Sequence, residues 1–185
     1  MGIDPSITGT GWAVLAFDCG KPWVRGMGVI RTRPDAKLGK WEDRQRRATL
    51  IGRELLQLML AHDVSAVCVE APIFTKHDGK ASVHASARVR GMVEGLCVAR
   101  GLRLSEVDPQ AVKRAVCGRR DASKEEVARM LSRVYFARAQ DIWAAGLDAT
   151  DALAVAHVGG AVASEAVSGM VSYRQSVEAD DELGF

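Results

Sequence analysis

Alternating and continuous runs of apolar residues divide the chain into strands and turns. An opening run ends at Asp4 and a second extends over residues 12–17, with a stretch rich in hydroxyl groups and glycine between them. This pattern predicts two strands joined by a tight turn. Residues 24–31, 64–70 and 102–107 are also typical of strands, since each is short and rich in β-branched or apolar side chains. We therefore expect five strands.

Helical periodicity and capping residues predict the helices. One helix has an apolar face with spacings of three and four, formed by Ala48, Ile51, Leu55, Leu58 and His62. A second helix, of about 20 residues, ends near Gly101. Three more helices have typical first residues, which are Asp108 before Pro109, Ser123 with Glu126, and Asp148. The order of elements favours one α/β domain on a mixed sheet whose first strands are antiparallel.

The second of these helices carries a ridge of small residues. The ridge repeats every four positions and consists of Ala87, Gly91, Gly95 and Ala99. Small side chains allow another element to approach closely. The ridge is compatible with packing on the sheet of the same chain or with a dimer interface, and the sequence leaves both alternatives open.

Composition adds a charge asymmetry to this picture. The chain has 185 residues, of which 48% are hydrophobic and 26% charged, as is usual for one globular domain. Residues 1–163 contain 24 basic and 18 acidic residues, whereas residues 164–185 contain one basic and five acidic. We expect one domain over 1–163, whose basic character suits a polyanionic partner, and an acidic, flexible tail over 164–185.

The cysteines and the hydropathy limit the possible location of the protein. The four cysteines are scattered and form no C-x-x-C pair, which argues against a zinc site or a disulfide framework. No run of about 18 apolar residues occurs, so we expect no membrane partner. These features fit a protein of a reducing cytoplasm.

Four carboxylates occur where strands end and a helix begins. Asp4 ends the first strand and Glu70 the fourth, and Asp148 and Asp151 share one face near a helix N-terminus. Groups at such positions can converge on one rim of an α/β sheet. Taken singly, each carboxylate has a simpler interpretation as a turn residue, a solvated strand end or a helix cap. Their joint arrangement in apolar surroundings favours a shared site.

Converging carboxylates repel one another unless cations lie between them. A ligand set made only of oxygens selects hard ions, Mg²⁺ or Mn²⁺. Two such ions roughly 4 Å apart would clamp a phosphodiester during in-line attack by water. One would help to generate and orient hydroxide, and the other would stabilise the leaving 3′ oxygen. No side-chain nucleophile is required.

Two groups of basic residues are candidates for DNA contact. The first surrounds a loop beside a helix N-terminus, a natural phosphate seat, and consists of Lys113, Arg114, Arg119, Arg120 and Lys124. The second follows Glu70 and consists of Lys76, His77, Lys80, His84, Arg88 and Arg90. A solvated charged face is the alternative for both groups. We expect Arg44, Arg46 and Arg47 to be ordinary surface residues and His157 to be a packing or surface residue.

Several segments together resemble one nuclease family. GIDPSITGTGWAV, AVCVEAPIF, DPQAVKRAVCG with SKEEVARM, and DATDALAVA occur in this order. As a set they resemble the RuvC Holliday-junction resolvases of the RNase H-like, or retroviral-integrase-like, nuclease superfamily over about residues 1–160. The resemblance implies an RNase H-like fold, with a five-stranded mixed sheet, its first three strands antiparallel, and helices on both faces.

The resemblance also implies site residues and an activity. Asp4, Glu70, Asp148 and Asp151 match the family's metal-binding carboxylates, two Mg²⁺ or Mn²⁺ ions being held in each active site. Lys113 and Lys124 match basic positions that approach the cleaved strand or its phosphates, and Lys113 is also a candidate catalytic residue. The family acts as a homodimer on four-way junctions and leaves 5′-phosphate and 3′-hydroxyl ends. A branch-migration helicase is a possible partner that the sequence does not reveal.

The chain departs from the family pattern at two places. Only three residues precede Asp4, fewer than is usual in the family. An aromatic residue often follows the family's glutamate by three positions and wedges at the junction. Here that position is Ile73 and Phe74 is one further, so both are wedge candidates.

Other functions compete with junction cleavage. An RNase H-like nuclease acting on flaps, forks or RNA requires the same carboxylates. A junction-binding protein that does not cleave is disfavoured, because concentrated negative charge weakens binding to phosphate. An actin-like ATPase has a similar first turn, but that fold needs two such domains and 185 residues are too few.

Overall fold

The computed structural model describes residues 1–72 and 80–160, without the side chains of 80–82. Ile73, Phe74, Lys76 and the predicted acidic tail therefore lie outside the described residues. None of the described helices combines the length and the hydropathy needed to cross a membrane.

Five strands form one mixed sheet in the order β3-β2-β1-β4-β5. Their bounds are β1 (Gly2–Asp4), β2 (Gly9–Asp18), β3 (Lys21–Arg31), β4 (Ala66–Glu70) and β5 (Arg103–Val107). β1, β2 and β3 are successively antiparallel, whereas β4 is parallel to both β1 and β5. The predicted α/β architecture and the antiparallel start of the sheet are confirmed.

Five of the described helices lie close to the predicted signals, whereas the helix over Ala139–Ala145 is one that the sequence signals do not predict. The helices are α1 (Lys40–Ala61), α2 (Lys80–Arg100), α3 (Pro109–Cys117), α4 (Lys124–Val134), α5 (Ala139–Ala145) and, over residues 147–160, α6. Asp108 caps α3 by accepting the backbone N–H of Ala111 at 3.0 Å, and Gly118 follows the helix with a φ of 76°. Ser123 and Glu126 form the predicted capping box of α4.

The sheet separates two apolar cores, and the alternation of side chains decides which residues enter each. Ile3 and Val67 face the core that α1 and α2 complete. Gly2 and Cys68, their neighbours along β1 and β4, face α6 instead. The same period of two places Asp4 and Glu70 on the α6 side, at the carboxyl ends of the two strands.

α6 rests directly on the backbone of the two strands below it. A Cβ on Gly11 would overlap the carbonyl oxygen of Asp148, and a Cβ on Gly2 would overlap that of Ala152. The sequence pattern associates Gly11 with the turn after Asp4, but Gly11 lies within β2, opposite Asp4. Its role is to admit the helix, not to form the turn.

The inner face of α1 differs from the predicted one at its C-terminal end. Ala48, Ile51 and Leu55 are buried as predicted, but the next core residue is Met59 and Leu58 is only partly buried. Both are apolar, so the sequence does not distinguish their directions. His62 follows the helix, and its ring lies 5.9 Å from that of Trp12.

The first of the two alternatives for the small-residue ridge of α2, packing on the sheet of its own chain, is wrong. The buried face of the helix is formed by Ala85, Val89, Val93 and Cys97. The ridge points away from this face and is exposed, with no atom within 4 Å of the Cβ positions of Gly91 and Gly95. The larger apolar residues occupy the core because they bury more surface there.

Arg47 is buried, contrary to the prediction of a surface residue. Its Nε donates to the Thr32 hydroxyl at 2.7 Å and its Nη2 donates to the Ile7 carbonyl at 3.0 Å. Its Nη1 lies 3.6 Å from Asp43. These partners satisfy the guanidinium, which therefore anchors the turn between β1 and β2 to α1. Arg46 is exposed, as predicted.

The contact between α6 and β2 predicts that Gly11→Ala is strongly destabilising. The added methyl group meets the Asp148 carbonyl, a backbone atom that cannot rotate away, and we expect a loss of about 3 kcal/mol in the free energy of unfolding. The measurement is chemical denaturation followed by circular dichroism.

Gly91→Ala is the matched control for this prediction, since it adds the same methyl group at an open helical position. We expect it to increase stability by about 0.5–1 kcal/mol. Equal stability of the two variants would contradict the close packing of α6 on the sheet.

Candidate active site

The structure brings the four predicted carboxylates to one edge of the sheet. Asp4 and Glu70 end two adjacent parallel strands, so their side chains emerge side by side. Asp148 and Asp151 lie in the first turns of α6. Because α6 packs on the backbone of β1 and β2, its N-terminal end lies above these strand ends.

Burial and mutual repulsion raise the pKa values of the strand-end carboxyls. Burial is the main cause at Asp4, whose pKa rises to about 6, and the Asp151 charge adds to it. Burial also dominates at Glu70, whose pKa rises to about 7 with contributions from the Asp4 and Asp151 charges. Such shifts show that the charged form of both carboxyls is disfavoured, first by burial and then by the neighbouring carboxylates.

Lys124 supplies a positive charge within this acidic group. Its ammonium pairs with the Asp151 carboxylate and lies 4.0 Å from Oδ1 of Asp148. Burial alone would lower the pKa of Lys124, but the hydrogen bond to Asp151 and the surrounding carboxylates raise it overall. Burial likewise raises the pKa of Asp151, and Lys124 partly opposes this rise.

The chemistry of this group fits a hard divalent cation better than a soft one. All four side chains offer only carboxylate oxygens, the ligands that Mg²⁺ and Mn²⁺ prefer. Within residues 1–72 and 80–160, no three His, Cys, Asp or Glu side chains already surround a common point as ligands. Asp151 faces the Lys124 ammonium instead, so a cation that bound here would have to share Asp151 with Lys124.

A cavity of about 430 Å³ opens beside the carboxylates. Asp4, Glu70 and Asp151 line its acidic end, and three basic side chains also line it, namely Arg90, Lys113 and Lys124. Apolar groups complete the walls and include Pro5, Pro72, Val83, Ala87 and Pro109. The cavity therefore combines a place for cations with positive side chains suited to phosphate oxygens.

Two arginines of the second basic group occupy different environments. The Arg88 guanidinium lies 4.1 Å from the centre of the Trp41 ring, on the side of α1. Arg90 lines the cavity and donates from Nη1 to the Glu70 carbonyl at 2.9 Å. Residues two positions apart on a helix differ by about 200° in direction, a signal that separates the two arginines once the helix is identified. Sequence reasoning without that step treats them alike.

The remaining basic candidates lie outside the cavity wall. Arg114 and Arg120 are exposed, and Arg119 is paired with Glu126 and, at 3.3 Å, with Asp121. Lys80 begins α2, but its side chain is not among those described.

His157 has a packing role, as predicted. Its Nδ1 lies 2.8 Å from the Tyr135 hydroxyl, which joins α6 to the end of α4. Burial lowers the pKa of His157 and raises that of Tyr135 to about 12.

Comparison with known proteins places this geometry in a family. The family model described as crossover junction endodeoxyribonuclease RuvC matches residues 1–158. The chain belongs to the RuvC family. It is 30% identical over 157 residues to RuvC of Bacteroides fragilis, and the matched region covers 85% of this chain and 79% of that protein. It is 35% identical over 158 residues to RuvC of Streptomyces griseus, which covers 84% and 72%.

Solved structures agree with the RuvC assignment. Thermus thermophilus RuvC in complex with a Holliday junction substrate has a TM-score of 0.68 and 26% identity, covering 84% of this chain and 88% of that one. The yeast mitochondrial Holliday junction resolvase Ydc2 has a TM-score of 0.60 at 13% identity, covering 84% and 74%, which shows the fold alone. The predicted family, fold and enzyme class, crossover junction endodeoxyribonuclease, are confirmed.

The repulsion among the carboxylates predicts that Asp4→Asn stabilises the folded domain when no divalent cation is present. At pH 8 in EDTA the substitution removes one of several repelling buried charges. We expect a gain on the order of 1 kcal/mol, or about 2–4 °C in melting temperature for a chain of this size. Thermal denaturation measures it.

Asp18→Asn is the control, because Asp18 is exposed at the end of β2 and should not change the melting temperature. An Asp4→Asn variant less stable than the wild type would refute the repulsion.

Proposed function

We propose that this chain is a metal-dependent, structure-selective endodeoxyribonuclease that resolves four-way and other branched DNA by paired, symmetric nicks. The observation that carries the proposal is the convergence of four carboxylates beside a cavity with basic walls, in a chain of the RuvC family. The solved T. thermophilus relative contains a Holliday junction substrate, which supports branched DNA as the ligand here.

The four carboxylates are the proposed cation ligands. Asp4, Glu70, Asp148 and Asp151 would hold two Mg²⁺ or Mn²⁺ ions in each active site. Such ions supply the activation of water and the stabilisation of the leaving 3′ oxygen. Asp4 and Glu70 are partly buried, so their negative charge would act on a nearby cation with less screening than at an open surface.

Lys113 and Lys124 are the proposed contacts to the scissile phosphate. Both line the cavity beside the carboxylates. Their ammonium groups are positioned to offset the charge that accumulates on the phosphoryl oxygens during displacement, which gives Lys113 its proposed catalytic role. If a cation bound Asp151, the ion pair with Lys124 would weaken, and the Lys124 ammonium would then be available to a phosphate oxygen. The expected products carry a 5′-phosphate and a 3′-hydroxyl.

Basic residues beyond the cavity form the proposed DNA path. Arg114, Arg119 and Arg120 follow the outer end of α3, and Arg119 must exchange or share its acidic partners to bind phosphate. The second proposed group of DNA contacts consists of Lys76, Lys80 and Arg88. Ile73 and Phe74 stay the predicted junction wedge.

A homodimer is the proposed active form, since two opposing strands must be cut. The ridge Ala87–Ala99 is exposed and therefore accessible to a second copy. Residues 1–163 would form the nuclease domain, with 164–185 as an acidic extension.

The proposal predicts that Asp148→Asn abolishes cleavage and retains junction binding. The test incubates a synthetic four-way junction with Mg²⁺ and resolves the strands on a denaturing gel. The wild type should make paired, symmetric nicks, and the variant should bind the junction by gel shift at least as tightly, because it carries less negative charge.

Substrate controls separate the competing activities. Linear duplex, flap, fork and RNA–DNA hybrid substrates should be cut more slowly than the intact junction. Preferential cutting of the hybrid would favour the alternative RNase H-like activity. Nicking by Asp148→Asn at the wild-type rate would show that the assignment of the metal ligands is wrong.

The pairing of Arg119 predicts that Lys113→Gln weakens junction binding more than Arg119→Gln. Lys113 has no described acidic partner within the ion-pair distance, whereas Arg119 is paired with Asp121 and Glu126. We expect the Lys113 variant to reduce the slope of log affinity against log salt by about one. Fluorescence anisotropy in Ca²⁺ at several salt concentrations measures both variants. A larger effect at Arg119 would contradict this order.

A further inference from the structure

The backbone carbonyl of Glu70 points toward β1, where the regular ladder cannot supply a donor. In the parallel pairing of β1 and β4, Gly2 is opposite Cys68, and the N–H of Cys68 donates to the Met1 carbonyl at 2.8 Å. The hydrogen-bond pattern of a parallel pair repeats every two residues, so Asp4 is opposite Glu70 in the same way. In this pattern the Glu70 carbonyl faces the backbone nitrogen of residue 5. The N–H of Ala71, the residue after Glu70, points the other way, to the Val107 carbonyl at 2.8 Å.

Residue 5 is a proline and has no backbone N–H. The last peptide of β4 therefore loses the hydrogen bond that would hold it to β1. This peptide, between Glu70 and Ala71, is then held to the sheet from one side only, by the bond from the Ala71 N–H to the Val107 carbonyl. A partly buried carbonyl without a donor is also unfavourable.

Arg90 supplies the missing donor from α2, which packs on the face of the sheet opposite to α6. Its Nη1 donates to the Glu70 carbonyl at 2.9 Å. Its Nε lies 3.4 Å from Glu94, and its Nη2 is paired with Glu106 on β5. The side chain is only 13% exposed, so the guanidinium is held on three sides between α2, β4 and β5.

We propose that Arg90 is a positioning residue, which replaces the backbone donor lost at Pro5 and so fixes the direction of the Glu70 carboxylate toward a bound cation. The proposal rests on the proposed function of Glu70 as a metal ligand. It concerns the geometry of the peptide and not the positive charge of Arg90.

The direction in which Arg90→Gln changes the Mn²⁺ affinity distinguishes a positioning role of Arg90 from an effect of its charge. Removing a positive charge close to a cation site strengthens cation binding if electrostatics alone acts. Loss of a positioning hydrogen bond weakens it, typically by 10–100-fold for partners of metal ligands. We expect Arg90→Gln to weaken Mn²⁺ binding about 10-fold by isothermal titration calorimetry.

Arg100→Gln is the matched control. It makes the same change of charge and shape on the same helix, but Arg100 is exposed in the last turn of α2. We expect its Mn²⁺ affinity to equal that of the wild type. Melting temperatures in EDTA accompany both titrations, so that a loss of fold is distinguished from a loss of affinity.

Pro5→Ala tests the route through the carbonyl. Alanine restores an N–H opposite the Glu70 carbonyl, so Arg90→Gln should weaken Mn²⁺ binding less in the Pro5→Ala background than in the wild type. An equal loss in both backgrounds would show that Arg90 does not act through this carbonyl and would overturn the proposal.

The outcomes separate this inference from the proposed function. A wild-type protein that binds no Mn²⁺ refutes the metal site itself. A wild type that binds, with a folded Arg90→Gln variant of equal or higher affinity, refutes only the role of Arg90. If Arg90→Gln does not fold, Arg90→Lys carries the test, because it keeps the charge beside Glu106 but loses the fork that also reaches Glu70. Undiminished affinity of Arg90→Lys would likewise overturn the proposal.

Discussion

The contact of α6 with the bare backbone of β1 and β2 is the constraint on which the site depends. Gly2 and Gly11 lack the atoms that would hold the helix away, and small residues of α6, such as Ala149 and Ala152, pack into the space. The distance between the helix and the strands is set by backbone atoms in contact, which cannot adjust as side chains do. The carboxylates of β1 and α6 therefore meet at a separation that changes elsewhere in the core do not readily alter.

This rigid approach creates an electrostatic problem that the surrounding side chains resolve in part. Asp4 and Glu70 are buried close together, and their raised pKa values express the cost of keeping both ionised. Lys124 offsets some of this cost through Asp151. In the proposed function, bound cations would neutralise this negative charge, which would otherwise repel a nucleic acid. Cation binding and DNA binding are thus expected to be coupled.

The elements of the fold and the carboxylates could be predicted because their signals are local. A strand that ends in Asp4, a strand that ends in Glu70 and a helix that starts near Asp148 are each visible within about ten residues. Sequence alone also identifies the basic groups but not the directions of their members. Only the angular difference along α2 separates Arg88, which covers Trp41, from Arg90 in the cavity.

Other features could not be predicted, because they depend on contacts between distant segments. The burial of Arg47 follows from a carbonyl partner on the β1–β2 turn and a hydroxyl partner, Thr32, directly after β3. The helix-admitting role of Gly11 depends on α6, which lies more than a hundred residues further along the chain. In the same way, the missing donor at Pro5 becomes visible only after the register of β1 against β4 is known.

The placement of β1 at the centre of the sheet and of α6 upon it has a consequence for synthesis in the cell. Among the described elements β1 is synthesised first, its parallel partner β4 comes some sixty residues later, and its covering helix α6 comes last. A chain that has not yet reached α6 therefore has Asp4 without Asp148 and Asp151. Such a nascent chain carries only an incomplete set of the proposed ligands into contact with the nucleic acids around it.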